Sequence, residues 1–464
     1  MADTPGGRRE LIPFSGTDGP QEALDISAAI MAPEGAPGAP APLALVGREA
    51  DMAALDDLLA ANGVCVITET ASAGGQGGIG KTWLARAYAA RQEGRFPNGS
   101  CVLPLDRPDR AGVALAAYGL RWGLAVDGDF QRRLQVIFED LRAHAGVLLI
   151  LDDCGDAASV QTLRAQVGHV PILVTARRSA WAEAAEMAVY PVGPLDFGDA
   201  TRLVVRDRPD LSADRPEPAR IAAALDEVPA ALDFAARTLA AERDGEFGEP
   251  LAYLAALRAV PVDRLVIAMD GLPRRPAGHE RAIVRALAVA AGRLRPVHGP
   301  DITALALLRH AVAFIPGQAF PEKLLRQAIT TREAAPDTPQ VDQGIARLRN
   351  LGLLRGDAAM PGLYVPPLVA AYVAGADPEA VGGARRCVER VVAARVQDCL
   401  IAGRVNEVLS WQVHLHHITE MAEGTQSPAA PVLFRRLADQ MDALGEAAHA
   451  DRLRQRGEAL ASGS

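Results

Sequence analysis

Residues 75–82 restrict the fold of this chain more than any other segment, because they have the spacing Gly-x-x-x-x-Gly-Lys-Thr. In such a loop, glycines let successive backbone N–H groups turn towards phosphate oxygens. Lys81 then reaches the outer phosphates, and the hydroxyl of Thr82 ligates Mg²⁺. The alternative is a flexible glycine-rich loop that carries a lysine by chance.

Lysine is scarce in this sequence, which favours the phosphate-binding interpretation. Of the 48 lysine and arginine residues, only Lys81 and Lys323 are lysines. A compact, flexible ammonium suits this position better than a planar guanidinium. The candidate phosphate-binding residues are Gly75, Gly77, Gly78, Ile79, Gly80, Lys81, Thr82 and Trp83.

Composition and charge are those of an ordinary globular protein. The 464 residues are 49% hydrophobic and 23% charged, which is sufficient for a buried core and about three domains. The net charge of -9 argues against broad non-specific binding of nucleic acid. The five cysteines form no C-x-x-C pair, and no stretch approaches about 18 uncharged apolar residues. We therefore expect a cytoplasmic protein with reduced thiols and no membrane partner.

Short apolar segments alternate with helical segments in the first half of the chain. The segment GVCVIT precedes the loop, the helical segment TWLARAYAARQ follows it, and CVLPL, VLLILDD and PILVT come later. This alternation predicts a parallel sheet with crossover helices. Beyond residue 208, alanine-rich helical patterns replace the strands. The expected fold class is an α/β domain followed by helical domains, mainly α overall.

Two acids end the apolar segment VLLILDD. Asp152 suits Mg²⁺ through a water molecule, and Asp153 is placed to orient or deprotonate an attacking water. The alternative is a strand that simply ends in solvent. Arg177 follows the segment ILVTA, and it is a candidate sensor of a terminal phosphate; the alternative is a surface arginine.

The order of these segments resembles that of an NB-ARC domain, the nucleotide switch of STAND-type signalling ATPases. LVGRE precedes the loop, and GGIGKTWLA, LLILDD, ILVTAR, VGPLDFGDATRLV and LDEVPAALDFAARTLA follow in that order. The resemblance covers residues 43–260. It implies an α/β P-loop NTPase domain that binds ATP or ADP with Mg²⁺.

The resemblance also implies a role for each site residue. Val46, Gly47 and Arg48 would lie near adenine and ribose, and residues 75–82 would hold the phosphates and Mg²⁺. Asp152 would be the Walker B acid that binds Mg²⁺, and Asp153 and Arg177 would act in catalysis with Lys81. Pro229 would contact the nucleotide from the small helical domain. In the motif around Pro229, the chain has Glu227 and Val228 where the family prefers glycine and leucine.

The segment from LLRHAVAFIPGQAF to YVPPLVAAYV is similar to the winged-helix domain of the same family. The family places a histidine before the LV of this segment, where it contacts the β-phosphate of ADP and holds the closed state. Here Pro366 and Pro367 stand before Leu368 and Val369. Proline has neither a side-chain donor nor a backbone N–H, so this departure argues against the family's ADP-locked resting state.

The last segment, PVLFRRLADQMDALGEAAHADRLRQRGEALA, resembles a single tetratricopeptide-like helix pair. One pair is short of the roughly three repeats that a stable solenoid needs. The nearby HLHH segment, with His414, His416 and His417, invites a metal-binding interpretation. No further ligand residue lies close in sequence, so structural histidines are the preferred interpretation.

These patterns divide the chain into five predicted parts. They are a flexible tail (1–42), the P-loop nucleotide-binding domain (43–208), a small helical domain (209–261), the winged-helix domain (262–375) and C-terminal tetratricopeptide-like helices (376–464). The tail is too short for an ordinary effector domain.

The predicted function is an ATP/ADP-dependent switch in bacterial signalling or antiviral defence. ADP is expected to favour a closed monomer and ATP an open, self-associating form that acts through an effector or sensor chain in trans. Slow ATP hydrolysis is expected to operate the switch. One alternative is an ATP-regulated winged-helix protein that binds DNA, although the arginines of residues 262–375 are mixed with acids. Another is a metabolic P-loop kinase, but no lid-like arginine segment is evident.

Overall fold

The computed structural model describes residues 46–70, 78–92, 94–105, 108–121, 124, 129–144, 146–176, 181, 187–268, 279–330, 336–356 and 362–462. The predicted tail and three predicted site residues, Gly75, Gly77 and Arg177, lie outside the described residues.

A five-stranded parallel sheet forms the first part of the described chain. Its strands are β1 (Val64–Glu69), β2 (Ser100–Pro104), β3 (Leu148–Asp152), β4 (Ile172–Thr175) and β5 (Ala188–Val192). Their order across the sheet is β2-β3-β4-β1-β5, and every neighbouring pair is parallel. The strand that precedes the phosphate loop, β1, is thus separated from the acid-bearing strand β3 by β4.

Helices cover both faces of this sheet. They are α1 (Glu49–Asn62), α2 (Lys81–Arg91), α3 (Pro108–Arg121), α4 (Phe130–Ala143) and α5 (Ala157–Val167). The next helix, α6 (Phe197–Val205), packs instead on the helices that follow it. Side chains alternate between the two faces of a strand, so Val64 and Val66 enter one core cluster, whereas Cys65 and Ile67 enter the other. Strands buried on both faces explain the continuous apolar runs in the sequence.

The edge strand β5 is the strand that sequence patterns do not reveal. Its sequence is AVYPV, and Pro191 lies opposite Thr68 of β1. Proline cannot donate a backbone hydrogen bond, but an edge strand leaves one side of its backbone unpaired. The proline is therefore compatible with this position, but it lowers the β-propensity of the segment, so the sequence does not predict a strand there.

Helices and one hairpin make up the rest of the described chain. The first helices are α7 (Pro216–Ala224), α8 (Pro229–Ala241), α9 (Pro250–Ala259), α10 (Val262–Ala268), α11 (His279–Ala291), α12 (Gly299–Ala311), α13 (Glu322–Thr330) and α14 (Thr338–Asn350). Each of α7, α8 and α9 begins with proline, whose missing N–H needs no partner at that position. The antiparallel hairpin β6 (Arg355–Gly356) and β7 (Leu363–Tyr364) follows α14.

Six further helices complete the described chain. They are α15 (Pro367–Ala376), α16 (Pro378–Ile401), α17 (Val405–Leu409), α18 (Gln412–Gly424), α19 (Ala430–Ala443) and α20 (Ala447–Ser462). A hydrophobic core runs from Val113 of α3 through Phe234 of α8 and Leu307 of α12 to Leu453 of α20. The helical parts therefore share a core with the sheet domain.

The fold class predicted from the sequence is confirmed: a parallel sheet with flanking helices is followed by helical domains, and the chain is mainly α. Within the described residues, no helix has both the length and the apolar character required to cross a bilayer.

Candidate functional site

Polar and charged side chains meet at the carboxyl edge of the parallel sheet. Glu69, Asp152 and Thr175 are the last residues of β1, β3 and β4. Parallel strands end at the same edge, and loops at this edge form the usual ligand crevice of open α/β sheets. The topology therefore brings these residues next to Lys81 and Thr82, at the end of the glycine-rich loop that we call the phosphate loop after its predicted role.

Asp152 is held by two threonine hydroxyls. Thr82 Oγ1 at the start of α2 and Thr175 Oγ1 at the end of β4 each donate to Asp152 Oδ1 over 2.6 Å. Oxygen ligands of this kind are those that Mg²⁺ prefers. The residues thus fit a magnesium site, in which Thr82 and Asp152 would hold the ion.

Asp153 has an unusual backbone conformation at this edge. Its φ angle is 57°, in the left-handed region that L-residues seldom adopt. The backbone N–H of Asp153 donates to Thr175 Oγ1 over 3.0 Å, and that of Cys154 donates to the carbonyl of Thr175 over 2.9 Å. Thr175 therefore fixes both acids relative to each other.

Lys81 has a carboxylate partner that the sequence analysis did not identify. Its ammonium forms an ion pair and hydrogen bond with Glu69 Oε1. The side chains are 10% and 1% exposed, respectively. A sequence signal did exist, since a carboxylate in the otherwise apolar β1 is uncommon.

The structure describes residues 78–80 of the phosphate loop, immediately before α2. Gly78 and Gly80 have φ angles of 101° and 94°, and Ile79 between them is 1% exposed. Glycine is required for these angles. The N-terminus of α2 begins at Lys81, and the N–H groups and dipole of such an end favour an anion. Trp83, in the first turn of α2, is half-buried.

Arg48 connects the start of α1 to the loop. Its Nη2 donates to the carbonyls of Gly193 and Ile79 over 2.6 and 3.3 Å. Gly47 has a φ angle of 69°, and a Cβ atom there would lie 2.5 Å from Asp199 Oδ2. Val46, the remaining predicted residue of this group, packs on the main core.

A cleft of about 490 Å³ lies beside Arg48. Its walls are residues 48–51, 193–196 and 199, and they include the carboxylates of Asp51, Asp196 and Asp199. Tyr190 OH donates to Asp51 Oδ1 over 2.9 Å, which fixes one wall of the cleft to β5. The cleft is large enough for a small organic group.

Two helices from beyond the sheet domain cover the phosphate loop. The N–H of Ala230 in α8 donates to the carbonyl of Gly78 over 3.3 Å. A Cβ atom at Gly78 would lie closer than 3.0 Å to Ile283 of α11, and one at Gly80 would lie 3.9 Å from Pro229 Cβ. The loop is thus in contact with the segments predicted to form the small helical and winged-helix domains.

A buried carboxylate joins three elements close to this contact. Asp233 of α8 pairs with Arg206 after α6, Arg237 of α8 and Arg355 of β6, at 2.9, 3.0 and 2.7 Å. Burial alone would raise the pKa of Asp233, but the charges of Arg355, Arg237 and Arg206 outweigh it and hold that pKa far below its usual range. The cluster ties the sheet domain to the β6–β7 hairpin.

Pro366 and Pro367 begin α15 and lie one helix away from the loop. Pro366 is the N-cap, and a Cβ atom at Gly317 would lie 3.5 Å from Pro367 Cγ. The following Leu368 packs beside Val284 of α11, which is next in sequence to the loop-covering Ile283. The helix that these prolines begin thus packs on α11, which in turn contacts the loop.

His414 has a structural environment. It is 1% exposed; its Nδ1 accepts from the N–H of Ile315 over 3.2 Å, and its Nε2 lies 2.9 Å from the carbonyl oxygen of Ala319. Phe314 and Phe320 meet its ring edge to face. Among the described residues, no cluster of three or more His, Cys, Asp or Glu side chains could bind a metal.

The fold class is a parallel α/β sheet with flanking helices, followed by helical domains. No family model matches the chain, and no curated protein matches its sequence. A STAND protein with a tetratricopeptide repeat sensor from Pyrococcus horikoshii is 14% identical with a TM-score of 0.43; the match covers 89% of this chain and 58% of that one.

Two other solved structures are more distant. A Walker-type ATPase of Pyrococcus abyssi is 14% identical with a TM-score of 0.33, over 71% of this chain and 95% of that one. A chain of the Drosophila ORC complex with DNA and Cdc6 is 13% identical with a TM-score of 0.24, over 89% of this chain and 68% of that one. These weak likenesses do not define a family, so function is inferred from the residues of the site.

Proposed function

We propose that the chain is an ATP/ADP-dependent P-loop switch of the NB-ARC and STAND type. One observation carries the proposal: Gly78 of the phosphate loop is in contact with Ala230 of α8 and Ile283 of α11. A nucleotide bound by this loop would therefore touch the boundary between the sheet domain and the helical parts. Its phosphates could change how these parts pack.

The binding residues follow from the chemistry of the site. Lys81 and the loop N–H groups would bind the phosphates, and Thr82 and Asp152 would hold Mg²⁺. The cleft beside Val46, Gly47 and Arg48 is the proposed site of the base and ribose. Pro229 would close the site from the helical side, and Gly75, Gly77 and Arg177 would complete it. When bound, Mg²⁺ neutralises phosphate charge.

Hydrolysis would be slow and would serve to reset the switch. Asp153 is the proposed acid that positions water, because the hydroxyl of Thr175 fixes its backbone next to Asp152. A switch needs only two packings with different nucleotide affinities. Self-association with ATP, and an effector or sensor chain in trans, are further parts of this proposal.

The first experiment identifies the nucleotide carried by the purified, undenatured protein and measures its affinity. The two lysines provide a matched pair of variants: Lys81→Ala removes the ammonium from the loop, whereas Lys323→Ala removes one that pairs with Glu407 over 2.6 Å. We expect Lys81→Ala to lose nucleotide binding and Lys323→Ala to retain it. Equal binding by both variants and the wild-type protein would refute the proposal.

The second experiment tests switching. Small-angle scattering and light scattering are recorded with Mg·ADP and with a non-hydrolysable ATP analogue. We expect a larger radius of gyration or a larger assembly with the ATP analogue, and no such difference for Lys81→Ala. If the protein binds both nucleotides but its radius of gyration and molecular mass are the same with each, the switch proposal is wrong.

A further inference from the structure

Glu69 is the residue from which a further property of the site can be inferred. Its side chain is 1% exposed and forms an ion pair with Lys81. The other carboxylate oxygen, Oε2, is buried and accepts no hydrogen bond from the described residues. A buried carboxylate with so few partners is stabilised mainly by the cation that it pairs with.

Glu69 pairs with the Lys81 ammonium, which is also the group that would bind the phosphates of a nucleotide. A P-loop lysine contacts the β- and γ-phosphates, so a phosphate oxygen and Glu69 Oε1 compete for the same ammonium. They also repel each other, because both are negative and both lie in a poorly solvated site.

Among the residues that the structure describes, the other charges near Lys81 do not relieve this competition. Arg48 directs its guanidinium to the carbonyls of Ile79 and Gly193 and to Asp51. Asp152, at the end of β3, adds another negative charge to the same edge. Glu69 therefore adds to the electrostatic cost of a bound polyphosphate.

We propose that Glu69 is a specificity-determining residue that weakens the binding of ATP more than that of ADP. The proposal rests on the proposed nucleotide switch. The reason is charge: ATP brings one more phosphate group towards Lys81 than ADP does, so it meets more repulsion from Glu69. The site would thereby favour ADP without the winged-helix histidine, in whose place Pro366 and Pro367 stand.

The test measures the dissociation constants of Mg·ADP and of the magnesium complex of an imido-bridged ATP analogue by calorimetry. The test variant is Glu69→Gln, which keeps the shape and removes the charge. The control variant is Glu389→Gln on α16, which changes a carboxylate that is 0% exposed and has one oxygen without a hydrogen-bond partner among the described residues. It lies outside the proposed site.

For Glu69→Gln we expect about a tenfold or greater gain in affinity for the ATP analogue and less than about a threefold gain for ADP. The ATP analogue should also raise the melting temperature of Glu69→Gln more than that of the wild-type protein, because Lys81 has lost its carboxylate partner. Glu389→Gln should keep the wild-type ratio of the two affinities.

The alternative outcomes separate the two proposals. If the wild-type protein binds both nucleotides and Glu69→Gln changes both affinities equally or not at all, the specificity role is wrong and the switch remains. If the wild-type protein binds neither nucleotide, both proposals fail. If Glu69→Gln does not fold, Glu69→Thr is neutral and suited to a strand, and the same expectations apply to it.

Discussion

Thr175 is the residue on which the geometry of the proposed magnesium site depends. One hydroxyl both donates to Asp152 Oδ1 and accepts from the N–H of Asp153. A hydrogen bond to a charged group contributes about 1.5–3 kcal/mol, and a buried group that loses its partner costs about as much. Thr175 thus positions Asp152 and Asp153, and no direct contact with the phosphates is proposed for it.

Replacing Thr175 by valine should loosen this arrangement while keeping the side-chain shape. We expect Thr175→Val to lose about 1–3 kcal/mol of stability and to weaken the Mg²⁺ dependence of nucleotide binding. Thr175→Ser, which keeps the hydroxyl, should stay close to wild type. Calorimetric titrations with and without Mg²⁺, together with thermal unfolding, check this. Identical behaviour of the valine and serine variants would contradict it.

At the scale of elements, α8 and α11 form the cover of the phosphate loop. They reach Gly78 through Ala230 and Ile283. Ile283 is 2% exposed, so its δ-methyl group fills the space above a glycine that has no side chain. The rate at which a nucleotide leaves would then depend on how tightly α11 packs.

Removing that methyl group should speed nucleotide release. Ile283→Val deletes one methyl group of this cover and should cost about 0.5–1.5 kcal/mol of stability. Ile329→Val makes the same change at a residue of α13 that is 1% exposed. We expect similar destabilisation in both variants but faster release of a fluorescent nucleotide only in Ile283→Val. Equal release rates would show that α11 does not gate the site.

The Asp233 cluster is the second contact between elements that can be tested. The pKa of Asp233 is lower in the folded protein than in the unfolded chain, so its ion pairs stabilise the fold fully above the ordinary carboxyl pKa of about 4. This stabilisation is lost as the pH falls from there through the folded-state pKa. Asp233→Asn removes the carboxylate that three arginines share, although Arg206 keeps Asp207 at 2.6 Å, and it should cost about 3–5 kcal/mol at pH 7. Below about pH 4 the difference should shrink. Melting temperatures at both pH values measure it, and a constant difference would argue against the pairing.

At the scale of the whole molecule, the C-terminal helices return to the sheet domain. The N–H of Phe130 donates to the carbonyl of Leu444 over 2.9 Å, and Arg133 donates to Asn406 over 3.2 Å. Gly445, between α19 and α20, has a φ angle of 80°, and a Cβ atom there would lie 2.7 Å from Asp129 Cβ. The C-terminal helices are therefore in contact with the start of α4 in the sheet domain.

A methyl group at Gly445 should open this contact. Gly403 is a matched control, since its φ angle is 70° but an added Cβ atom would meet nothing within 4 Å. Both alanine variants carry the backbone strain of a left-handed residue, roughly 1–2 kcal/mol. We expect only Gly445→Ala to make α19 and α20 more sensitive to a protease and to enlarge the radius of gyration. Equal sensitivity of the two variants would mean that the contact does not hold the C-terminal helices.

Part of the fold and of the site could be predicted from sequence because it is local. The alternation of apolar strands and helices predicts the parallel sheet, and the sequence placed Lys81, Thr82 and Asp152 at the ends of their elements. Strand β5 was missed because Pro191 lowers its strand propensity. The five domain boundaries, the role of Pro229 and the winged-helix assignment stay predictions.

The sequence alone determined that a glycine-rich loop precedes a helix and that acids follow an apolar strand, since spacing and hydrophobic pattern govern both. Only the tertiary structure decided which side chains meet. Glu69, Thr175 and Ile283 are far apart in the chain, and no local rule pairs a strand-end carboxylate with Lys81 or a helix methyl group with Gly78. Strand order and helix packing bring them together, because contacts between distant residues depend on how whole elements bury their apolar faces.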